Sequence, residues 1–67
     1  MDQDLLNAVA CVANRLKEKG YSSQVVNRTG EFIKQYVGDE DSIKSLSSSV
    51  YAESFIHFLE IHKIISK

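Results

Sequence analysis

Residues 22–37, SSQVVNRTGEFIKQYV, decide the fold class, because the stretch reads either as one helix or as a β-hairpin. The hairpin reading turns at Asn27-Arg28-Thr29-Gly30, with Val25-Val26 and Phe32-Ile33 as strand-favouring flanks. Strict alternation of apolar and polar residues fails on both flanks. The helical reading puts Val25, Val26, Thr29, Phe32, Ile33, Tyr36 and Val37 on one side. Asn27, Arg28, Glu31, Lys34 and Gln35 fill the other side, Ser22 or Ser23 serves as N-cap, and Gly38 supplies the stop after Val37. Helix is the better fit, and it makes the whole chain all-α.

The flanking segments follow the same period. Asp2 to Lys19 carries Leu5, Val9, Val12, Ala13 and Leu16 on one stripe, with Asp2 and Asp4 at its start. Arg15, Lys17 and Lys19 sit in its last turns and Gly20 follows as a left-handed stop, so charge and capping agree with the helix macrodipole. Asp39 to Ser42 offer N-caps for a short helix over Ile43 to Ser47, with Ile43 and Leu46 apolar. Ser48 or Ser49 caps a last helix from Val50 to about Ile65, whose expected inward face is Tyr51, Ala52, Phe55, Ile56, Phe58 and Leu59. The expectation is a single all-α domain over residues 1–67, a small bundle of three long helices plus a short connector helix.

Composition bounds the function. The chain has 67 residues, and one this short buries only about 60% of the surface its unfolded form exposes. Its 43% hydrophobic and 25% charged residues suit a folded domain rather than a disordered tail. A lone Cys11 makes no internal disulfide, which favours a reducing, cytoplasmic setting. No apolar run approaches the roughly 20 residues needed to span a bilayer, and Met1 to Asp4 lack the basic start of a secretory signal.

Catalytic and metal constellations do not assemble from these residues. His57 and His62 are five positions apart, about 140° around a helix, whereas paired metal ligands on one face need spacings of three or four. His62 falls on the side of Phe55 and Leu59, which predicts a partly buried imidazole. Cys11 lies at the edge of the first stripe beside Arg15, a packing position with no local base to activate its thiol. Asp39-Glu40-Asp41 lacks the glycine and distal glutamate of a calcium loop and reads as capping. The three glycines are isolated, so no phosphate-cradling loop is present. No cofactor and no enzymatic activity are expected.

Two functions survive. The first is a small regulatory or adaptor protein, self-associating or bound to a protein partner, because the last helix has apolar residues beyond one stripe. Val50, Ile61 and Ile64 project away from Phe55 and Leu59, beside His57, and these four are the expected partner-binding residues. A homodimer would also supply core that so short a chain lacks. Ala8, Ala10, Cys11 and Ala13 would let a neighbouring helix approach closely.

The second is a helix-turn-helix regulator that binds DNA as a dimer. Ile43 and Leu46 would line the supporting helix, Ser47 to Ser49 the turn, and the last helix would carry recognition. The spacing Ala52, Ile56, Leu59, Ile64, Ile65 resembles the end of winged-helix domains, where a glycine precedes the final apolar pair. Lys63 stands at that glycine's place. Arg15, Lys17, Lys19 and Arg28 are the candidate nucleic-acid contacts. The net charge of −1 and the absence of cations around Ser47 to Glu53 weigh against this reading.

Overall fold

A computed structural model of the chain describes residues 3–67. Its helices are α1 (Gln3–Glu18), α2 (Ser23–Tyr36), α3 (Glu40–Leu46) and α4 (Ser49–Ile61), with no strand among the described residues. The all-α reading holds, and residues 22–37 are helical through Gly30. Asp2, the expected first acidic residue of α1, lies outside the described residues.

Each boundary has a local cause. α1 ends where Gly20 adopts φ +91, with its N–H donating to the Lys17 carbonyl and that of Tyr21 to the Leu16 carbonyl. That pair of bonds is a Schellman close, which satisfies carbonyls left open at a helix end. Ser22 caps α2 by accepting from the Val25 N–H. α2 stops at Tyr36, one residue before the predicted end, because Val37 turns extended rather than Gly38 turning left-handed. Asp39 accepts from both the N–H and the hydroxyl of Ser42, so α3 starts at Glu40, earlier than the predicted Ile43.

α4 departs most from expectation. It stops at Ile61, not near Ile65, because Lys63 takes a left-handed φ of 57. The Lys63 N–H donates to Glu60 and the Ile64 N–H to Leu59, the same Schellman close that ends α1. Lys63 thus holds a left-handed conformation that glycine adopts without strain. Ile64 and Ile65 are therefore past the helix and owe their direction to this turn.

α1 is the hub: α2, α3 and α4 each pack against it, and α3 also packs against α4. Its Ala8, Val12 and Leu16 are fully buried, whereas Ala10, expected to let a neighbouring helix approach, is exposed. Cys11 and Ala13 are half-buried against the same core, as a packing role for the thiol predicts. Gly30 of α2 faces Val9, where an added Cβ would stand 3.3 Å from Cγ1, so glycine lets the two helices come close. Val26, Thr29 and Ile33 of α2, Ile43 and Leu46 of α3, and Ala52, Ile56 and Leu59 of α4 complete the centre. Thr29 spends its hydroxyl on the Val25 carbonyl, which leaves its methyl free to pack.

Candidate protein-binding face

α4 is built from residues that are apolar over much of its circumference, and packing against α1 decides which of them are covered. Ala52, Ile56 and Leu59 go inward and Phe55 is half-buried. Tyr51 and Phe58, expected inside, are on the surface instead. The reason is angular: at 100° per residue they lie roughly 100° from the buried line, toward the gap between α4 and α2. No helix covers that gap, because α2 and α4 each pack on α1 but not on one another. Only side chains bridge it, with the Phe32 and Phe55 rings 6.4 Å apart.

Four of the seven exposed large apolar residues among those described lie on α4 and a fifth, Tyr36, beside it, while Leu6 of α1 and Ile64 lie elsewhere. Val50 is 71% exposed, Tyr51 58%, Phe58 50% and Ile61 59%, and Tyr36 of α2, at 71%, lines the same crevice as Tyr51 and Phe55. At roughly 100 Å² each, these five side chains present on the order of 500 Å², the upper range for a soluble monomer's largest apolar patch. His57 is exposed among them. His62, predicted to be partly buried, is exposed too and lies over Phe58 with ring centroids 4.5 Å apart. As the C-cap it still follows the helix, its N–H donating to the Phe58 carbonyl, and so shares the exposure of Phe58 one turn back.

Three of the four expected partner-binding residues, Val50, His57 and Ile61, share this outer face. Ile64 does not. The Schellman turn sets it, still 53% exposed, at the edge of a crevice of about 380 Å³ with Val25, Arg28, Phe32, Leu59 and Ile65. Ile65 is half-buried against the core, so the terminal pair splits between crevice and interior.

The opposite flank of α4 carries its two carboxylates, and both are engaged. Arg15 Nε donates to Glu53 Oε2 at 2.8 Å, a second guanidinium nitrogen reaches the same oxygen, and Lys19 Nζ stands 3.0 Å from Oε1. Arg15 also bridges to Glu18 at 3.0 Å. Hydrogen bonds from Arg15 first, and from Lys19 second, hold the Glu53 carboxyl below its usual range. The Tyr21 hydroxyl donates to Glu60 at 2.5 Å, and this bond, with burial, pushes the phenol up to about 12. These contacts, 38 and 39 residues apart in sequence, fasten the end of α1 to α4.

The expected nucleic-acid residues are accordingly divided. Arg15 and Lys19 are ion-paired to Glu53, Lys17 is exposed, and Arg28 stands on α2 at the rim of the Ile64 crevice. α3 and α4 are joined through Ser47 and Ser48, and none of the 13 residues of α4 is lysine or arginine. No family model, curated protein or solved structure matches the chain. No described helix is long and apolar enough to cross a membrane.

Proposed function

We propose that this chain is a small non-enzymatic regulatory or adaptor protein that works in the cytoplasm by binding protein through the outer face of α4. One observation carries the reading: Val50, Tyr51, Phe58 and Ile61 are all exposed on the outer side of one helix, whose two carboxylates are already bonded to Arg15, Lys19 and Tyr21. Leaving such a patch in water is unfavourable, and patches of this kind mark interaction sites. The helix offers rigid, regularly spaced anchors of the sort that a partner helix or groove accepts.

The nucleic-acid reading has less support. A recognition helix needs cations to meet phosphate, and α4 has none, while the nearest basic pair is neutralised by Glu53. The experiment is charge insertion at exposed positions. Val50→Asp and Ile61→Asp are expected to keep the far-ultraviolet helical spectrum and to remove association, read as sedimentation mass and as partner retention on a column carrying the chain. Unchanged mass and unchanged retention in both variants would refute the proposal.

A further inference from the structure

The residues of α4 that point straight out are Val50, Ser54, His57 and Ile61, at spacings of four, three and four. They occupy about 60° of arc and form a seam of the kind that two packed helices share. The seam reads apolar, polar, polar, apolar, and it is the same from either end. Turned antiparallel about the midpoint between Ser54 and His57, a second α4 sets Val50 against Ile61 and Ser54 against His57, each pair occurring twice. A parallel copy would instead set His57 on His57.

The flanks agree with the antiparallel arrangement. Tyr51 and Phe58 lie on one side of the seam, and in an antiparallel pair that side meets its own kind, so Tyr51 faces Phe58 of the other copy. Glu53 and Glu60 lie on the other side, which also meets its own kind; Glu53 is neutralised there by Arg15 and Lys19, and Glu60, bonded to the neutral Tyr21 hydroxyl, keeps its charge. The area is also sufficient. A standard interface buries about 800 Å² per partner, roughly 60% of it apolar, and Val50, Tyr51, Phe58 and Ile61 with Tyr36 of α2 beside them supply on the order of 500 Å².

We infer that the partner of the α4 face is a second copy of this chain, bound isologously with the two α4 helices antiparallel and in register about the Ser54–His57 midpoint. The inference rests on the protein-binding reading above and adds the partner, its orientation and its register. Symmetry requires only one patch to serve both sides, which this seam satisfies.

The test uses the full chain with Cys11→Ser, so that no native thiol competes. Sedimentation equilibrium at ~50 μM, above the micromolar constants of weak interfaces of this size, is expected to give twice the 7.6 kDa chain mass. Under mild oxidation, a mixture of Val50→Cys and Ile61→Cys chains is expected to form a disulfide-linked dimer at least tenfold faster than Val50→Cys chains alone. Fast cross-linking of Val50→Cys alone would mean parallel helices and overturn the register. A monomer mass with no cross-linking in the mixture would overturn the second copy as partner. In that event, loss of retention of another protein by Val50→Asp would leave the protein-binding reading standing, and unchanged retention would end it too.

Discussion

Glu53 closes α1 onto α4, because one carboxylate receives both Arg15 and Lys19. Its carboxyl titrates below the ordinary 4.5, chiefly through the Arg15 hydrogen bond. A depressed folded value means that the ion pair stabilises the fold above the unfolded value, and that this contribution disappears as pH falls through the folded one. Urea unfolding of the wild type is therefore expected to show stability dropping below pH ~4.5, with a shallower drop in Glu53→Gln. Equal slopes for the two proteins would show that the bridge contributes nothing. Tyr21 titrates in the opposite sense. Its phenol is raised from 10.0 to about 12 by donating to Glu60, so its contribution is complete below pH 10 and is lost as pH rises toward 12. Tyr21→Phe is expected to cost about 1 kcal/mol at neutral pH and to flatten the alkaline loss. These bonds were beyond local sequence reading: spacing within a helix reveals neighbours three or four residues apart, whereas these partners are separated by 38 and 39 residues.

At the scale of the element, the caps at Ser22 and Asp39 were legible, since they are polar side chains at positions where backbone N–H groups need acceptors, whereas Ser48 precedes α4 without a side-chain cap bond. The end at Gly20 was legible for a similar reason, a residue without Cβ where φ is positive. The end of α4 was not, because nothing about Lys63 announces that it adopts φ 57. That misreading displaced Ile64 from its true position, while Val50, His57 and Ile61, which lie before or within the last helical turn, were placed correctly on the outer face. Tyr51 and Phe58 failed for a different reason. α4 is apolar on several sides, so periodicity alone does not say which side meets α1. The left-handed lysine leads to a prediction: Lys63→Gly removes the Cβ clash and is expected to stabilise the fold by about 1 kcal/mol, roughly 4–8 °C in midpoint for a domain of this size. Gly20→Ala is expected to cost about as much. Thermal melts of both variants check the pair, and a destabilised Lys63→Gly would contradict the stated strain.

For the whole molecule, a single core centred on α1 has to hold all four helices. At about 0.05–0.15 kcal/mol per residue, 67 residues give a monomer only some 3–10 kcal/mol of stability. Leu16 is fully buried at the hub, and Leu16→Ala is expected to cost about 2–5 kcal/mol, a large share of that total. If the α4 faces pair, the folded state gains a contribution that grows with protein concentration, whereas the core contribution does not. The two are separable by melting each protein between ~1 and ~100 μM. Wild type is expected to gain a few degrees in midpoint per tenfold increase in concentration, and Ile61→Asp to melt at one temperature throughout. Leu16→Ala, whose defect is inside the monomer, is expected to melt lower at every concentration yet keep the wild-type slope. A wild-type midpoint that does not move with concentration would contradict the pairing, while a lowered midpoint in Leu16→Ala would still place the core where α1 meets its three neighbours.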